Sequence, residues 1–227
     1  MIPLADIFNG KPLIEDFKAL SNPDLDCAKD REAVNRLVLN FLVKYLAAYL
    51  EIPDQKSARA LAEEIRMVTE FTVLCALGDF AEGGDVDIES QGGDNYAVRC
   101  LYDVRQTAAI FKEVVFNGAF ENGKSFFGLD LGSGTGILAV AMVLAAKRQG
   151  IRDIRCVGIE RSIMAVERAT KVAEKLGLSR EIEFVCDDLL APGLLSRCLA
   201  QSSQLSAHSL SYWVSETISI AVPKFDP

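Results

Sequence analysis

Phe126-Phe127-Gly128-Leu129-Asp130-Leu131-Gly132-Ser133-Gly134-Thr135-Gly136-Ile137-Leu138 is the stretch whose reading decides the fold. An apolar run that includes Phe126, Phe127 and Leu129 reaches an acid at Asp130, the pattern of a parallel strand buried on both faces. Gly132, Gly134 and Gly136 then alternate with polar residues, and residues 137–148 are rich in Ala, Leu, Met and Val, a composition that continues well as a helix. Strand, glycine turn and helix together open a nucleotide-binding α/β unit. Glycines let backbone approach a ligand closely, and a helix start offers unpaired N–H groups and a favourable dipole end to a carboxylate or phosphate.

The glycine spacing narrows the ligand. A dinucleotide fingerprint, G-x-G-x-x-G, separates its second and third glycines by two residues. Here only Thr135 separates Gly134 from Gly136, and residue 137 is Ile. No Lys follows the glycines as it does in a phosphate-binding P-loop, which disfavours ATP and GTP. Asp130-Leu131-Gly132-Ser133-Gly134-Thr135-Gly136 resembles instead the first motif of the class I S-adenosylmethionine (SAM) methyltransferases. The resemblance implies a cofactor turn built from Asp130, Gly132, Ser133, Gly134 and Gly136. The simpler alternative is a turn that serves only close packing of strand and helix.

Arg155-Cys156-Val157-Gly158-Ile159-Glu160 is a second apolar strand with an acid at its end. A carboxylate in that place can accept from both hydroxyls of a ribose, as in other doubly wound nucleotide sites. Ser162 is placed to cap the next helix and Gly177 to stop it. Residues 181–186 read as a third strand, followed by Asp187 and Asp188, and residues 209–216 as a fourth, ending in Ser215 and Glu216. Upstream, a helical pattern starts at Tyr96, carries Asp103 and Arg105, and runs to Phe116.

Asp103-Val104-Arg105, a helix, a connecting stretch and then Leu129 to Leu138 are similar to the cofactor half of the protein arginine methyltransferases, over residues 96–217. In that family the arginine at the place of Arg105 pairs with the SAM carboxylate, which a guanidinium can hold through two parallel hydrogen bonds. The resemblance further implies that Glu160 binds the ribose and that Asp187 or Asp188 accepts from the adenine amino group. It gives Glu216 a catalytic role, as the first of two glutamates that grip a substrate guanidinium. The sequence also departs from the family. Arg99 stands where a methionine is usual, and Lys224-Phe225-Asp226-Pro227 occupies the region of the second glutamate. The β-barrel that follows the cofactor domain in the family has no counterpart in the sequence.

Half of the 227 residues are hydrophobic (50%) and a quarter charged (25%), which provides for a sizeable core and argues against wholesale disorder. The net charge of −8 belongs to the front: residues 1–90 carry 17 acids and 9 bases, and residues 91–227 carry 15 of each. Neither half has the basic footprint of a nucleic-acid binder. Six cysteines and one histidine fall into no metal-ligand spacing, so no metal is expected, and the cysteines read as reduced thiols of a cytoplasmic protein. The first residues lack the pattern of a signal peptide, and every apolar run is interrupted by charge before membrane-spanning length.

Ahead of the core the pattern is helical, over residues 13–20, 26–51 and 57–77, with the last two expected to form an antiparallel hairpin about Pro53. Residues 78–95 hold five glycines and six acids and read as a linker, dividing a helical appendage, residues 1–90, from a SAM-binding domain, residues 91–227. The resulting expectation is an α/β chain, with a Rossmann-like class I methyltransferase sheet that is incomplete at its C-terminal end and an all-helical N-terminal appendage. Its activity would be methyl transfer from SAM to a nitrogen or oxygen of a protein or small-molecule acceptor, protein arginine among the candidates. A SAM-binding regulatory or scaffold module without turnover is the alternative. The resemblance implies the strand order 3-2-1-4, with further strands beyond strand 4 in a full enzyme. Strand 4 is therefore expected at a sheet edge: either the chain is a fragment with a missing C-terminal domain, or the strand is covered by a second copy in a homodimer or by the helical appendage, and the fragment reading is favoured.

Overall fold

The computed structural model describes residues 9–53, 58–82, 96–117, 125–189, 191–194 and 212–214. Three helices come first, α1 (Leu13–Leu20), α2 (Arg31–Tyr49) and α3 (Ala58–Glu82). The helix expected from Asp26 starts only at Arg31. The Asp26 carboxylate accepts from the amides of Ala28 and Lys29, at 2.8 and 3.3 Å, making a local turn that competes with helix. In contrast, α3 continues past Gly78, where the linker was expected to begin. A single glycine costs a helix only about 1 kcal/mol, and Ala81 and Glu82 favour continuation.

Residues 96–102 are helical, followed by α4 (Val104–Lys112) and a π-turn over Glu113–Asn117. The single helical run expected from Tyr96 is thus broken at Asp103. Its φ of −111° and ψ of 51° leave the helix, and its carboxylate accepts from the Gln106 amide as an N-cap.

The α/β part alternates β1 (Ser125–Leu131), α5 (Ile137–Arg148), β2 (Asp153–Glu160), α6 (Ile163–Lys175), β3 (Ile182–Cys186) and β4 (Tyr212–Val214). The strands pair in parallel in the order β3-β2-β1-β4, with Gly128 opposite both Cys156 and Tyr212. This is a mixed α/β fold with a small parallel sheet, compatible with a Rossmann-like arrangement. Parallel pairing brings the ends of β1, β2 and β3 to one edge, and the glycine turn sits there beside the end of β2.

Side chains alternate across the sheet. Phe126, Ile154 and Cys156 face one core, with α5, α6 and the front helices, while Phe127, Leu129, Val157 and Ile159 face a second core with Leu194. Every residue of α5 from Ile137 to Ala146 is buried, because the sheet lies on one side and α4 and the π-turn after it cover the other, while α2 packs on α4 and α6. At Gly128 the fit is close: a Cβ there would stand 2.9 Å from the Phe126 ring and 3.1 Å from the Met142 sulfur.

The boundary expected at residue 90 lies outside the described residues, and one buried apolar cluster continues across it from Phe17 to Ile182. Polar ties reinforce the contact. Arg148 donates to the carbonyls of Leu20 and Leu25, at 3.1 and 2.6 Å, and to that of Asn22. Lys171 pairs with Glu51 at 2.6 Å, and Lys112 donates to Asn35. Within the front, buried Asp16 accepts from Asn9, Asn40 and Lys44, and Lys44 also donates to Asn9 and to the Lys11 carbonyl.

Candidate functional site

The turn after β1 is bent by three left-handed glycines, Gly132, Gly134 and Gly136, with φ of 71°, 48° and 73°. The amides of Gly132 and Ser133 both donate to the Ile159 carbonyl at 2.9 Å, which hooks the turn over the end of β2. Asp130 lies beneath it, 1% exposed, and one of its carboxylate oxygens accepts from the Ala139 amide at 3.0 Å. That bond joins the strand to the first turn of α5. The residue thus fastens the turn from inside.

Two of the glycines face side chains. A Cβ on Gly136 would come within 2.4 Å of the Phe184 ring, and one on Gly134 within 3.2 Å of the Tyr96 ring. Close approach at this turn therefore includes close approach by the chain's own aromatics. Phe184 comes from β3, and Tyr96 opens the helical residues 96–102 that lead into α4.

Glu160, at the end of β2, is the centre of the polar geometry. Its Oε2 accepts from the Gly134 amide and its Oε1 from the Ser162 amide, both at 3.0 Å. Ser162 in turn caps α6 by accepting from the Ala165 amide. The strand-end acid, the central glycine and the helix start therefore form one unit. Immediately beyond it, Ile163 and Met164 expose apolar surface at the beginning of α6.

Asp187 donates its amide to the Glu160 carbonyl at 3.1 Å, so the end of β3 lies next to the end of β2, and its carboxylate accepts from the Asp188 amide at 2.9 Å. Asp188 is exposed. Arg105 is exposed in the first turn of α4, without an ion pair among the described residues. Ser133 is buried, and its hydroxyl and that of buried Thr135 have no hydrogen-bond partner among the described residues. Glu216 lies outside the described residues.

No protein-family model, curated protein or solved structure matches this chain.

Sequence reasoning overlooked the front helices as part of this site. The Tyr45 hydroxyl of α2 donates to the Thr135 carbonyl at 2.8 Å, so the glycine turn is held from a point 90 residues upstream. One helical turn later, Tyr49 is fully buried, its hydroxyl has no partner among the described residues, and the Arg168 guanidinium lies 5.9 Å from its ring centre. Burial is the main reason that the Tyr49 phenol is pushed up to about 12; Arg168 lowers it, and Glu160 and Cys100 raise it further. It is therefore a neutral O–H group at neutral pH. Among the described residues no cluster of His, Cys, Asp or Glu is placed to hold a metal ion, and no helix is long and apolar enough to cross a membrane.

Proposed function

We propose that the turn between β1 and α5 binds SAM and that the chain is a SAM-dependent methyltransferase. The observation that carries this reading is the anchoring of Glu160. Two backbone amides fix its carboxylate, one from the central glycine and one from the start of α6. Each oxygen has been used once, and each retains a lone pair for the adjacent hydroxyls of a ribose. An acceptor so held gives up little freedom on binding a diol, which is what preorganisation supplies.

The other residues fit the same ligand. Arg105 would meet the amino-acid carboxylate, as its counterpart does in the arginine methyltransferases. Ile163 and Met164 would lie against the flat face of the adenine, and Asp187 or Asp188 would accept from its amino group. SAM supplies a methyl group on a sulfonium that is already a good leaving group. The protein's part is then proximity, alignment and charge stabilisation. Glu216 would orient the acceptor nitrogen or oxygen, or take its proton. The acceptor is a protein or a small molecule, with arginine among the candidates.

Titration calorimetry tests the reading. SAM and S-adenosylhomocysteine should bind, and NAD and ATP should not. Arg105→Ala should weaken SAM by about ten- to a hundredfold, the scale of a hydrogen bond to a charged group, and leave adenosine binding unchanged. Folded protein that binds no SAM refutes the proposal. Binding without transfer of labelled methyl to any acceptor in a cell extract would leave the regulatory or scaffold module in its place.

A further inference from the structure

We infer that Tyr96 is a specificity residue of this site, whose ring recognises the positive charge of a sulfonium and so distinguishes SAM from S-adenosylhomocysteine. The inference rests on the SAM reading above and adds to it a residue that no motif singled out. Its basis is the surroundings of Gly134. The amide of Gly134 is held by Glu160 at 3.0 Å, while the open side of its α-carbon faces the Tyr96 ring, with Cδ1 3.2 Å and Cε1 3.3 Å from an ideal Cβ position. An acid and an aromatic ring thus meet at one backbone position from two different elements.

Tyr96 is held there for physical reasons. It is half-buried and packs against the main apolar cluster, and its neighbours Ala97, Val98, Cys100 and Leu101 are all buried. The helical segment is therefore seated by its apolar face, and Tyr96 is set against the turn. Any side chain on Gly134 would meet the ring, so it is the absence of one that admits Tyr96 to the turn.

The covalent structure of SAM places its sulfur between the amino-acid end and the ribose. With the ribose on Glu160, which holds the Gly134 amide, the proposed pose carries the sulfonium past Gly134, beside a carboxylate and an aromatic ring. An aromatic ring near a desolvated cation is attractive, and the attraction is lost when the sulfur becomes the neutral thioether of S-adenosylhomocysteine.

The test is the ratio of the two affinities, measured by calorimetry on the full chain. Tyr96→Leu should weaken SAM relative to S-adenosylhomocysteine by about three- to thirtyfold. Tyr96→Phe keeps a ring and should hold the wild-type ratio within about twofold. Affinity for S-adenosylhomocysteine serves as the control for a folded, competent site in each variant. An unchanged ratio in Tyr96→Leu overturns the inference, as does an equal loss for both ligands, which would make Tyr96 a packing residue only. Wild-type protein that binds neither ligand overturns the SAM reading itself, a result distinct from either of these.

Discussion

Phe184 fills the gap between two glycines of the α/β core, Gly136 and Gly158. An ideal Cβ on Gly158 would stand 2.4 Å from its Cδ1, and one on Gly136 2.4 Å from its Cζ. Gly158→Ala should therefore cost about 1–3 kcal/mol in overpacking, less about 0.4–1 kcal/mol gained by restricting the unfolded chain, a net loss of about 1–2 kcal/mol. Gly136→Ala meets the same ring and the Ala169 methyl at 3.2 Å, and it also places an alanine at φ of 73°. The left-handed conformation adds about 1–2 kcal/mol, for a net loss of about 2–4 kcal/mol. Urea unfolding with linear extrapolation gives each value. Phe184→Leu, combined with Gly158→Ala, should recover about 1 kcal/mol relative to the sum of the single changes. Additive losses, or a Gly158→Ala protein as stable as wild type, would refute the packing argument.

Tyr45→Phe leaves the Thr135 carbonyl buried without its donor and should lower stability by about 1–3 kcal/mol, read by the same urea titration. Lys44→Met removes the ion-pair partner of Asp16, whose carboxylate is 1% exposed and 2.8 Å from the ammonium, and should cost about 3–5 kcal/mol. The unfolded chain releases the Tyr49 proton near 10, whereas the folded chain holds it to about 12. The unfolded state then binds fewer protons in that window, so stability should fall by about 2–3 kcal/mol as pH rises through it. Tyr49→Phe should flatten that slope in unfolding curves recorded between these pH values.

The sheet was legible because each strand is a short apolar run closed by an acid or a turn, and because the glycines after Asp130 mark where β1 ends. Ser162 and Gly177 marked the start and end of α6 by side-chain capping and left-handed turn chemistry. The union of the front helices with the core was not legible, because α2 meets α4 and α6 through tertiary contact. A helix apolar all round must be covered on every side, and Ile137 to Ala146 offer no polar stripe. The apolar faces of α1 and α2 say that something is covered, without saying what. At the site, the glycine turn and Glu160 follow from spacing, whereas the bond between Gly134 and Glu160 and the seating of Tyr96 depend on tertiary contact. Asp103 was read only as part of a motif; its short side chain next to a free amide was the signal for a helix break.

The ties between front and core change what the chain connection through residues 83–95 has to do. Residues 9–82 behave as a ligand tethered to the rest of the molecule, bound through the Tyr45 hydroxyl, the Glu51 carboxylate and the carbonyls that Arg148 gathers. A tether supplies effective concentration and adds no contact of its own. Two separately expressed pieces, residues 1–90 and 91–227, should therefore recognise each other and co-elute on a sizing column. The glycine turn, held on one side by Tyr45, would take its native shape only in the reassembled pair. Dilution of such a pair would then act on the candidate site as a switch, by removing one of its walls.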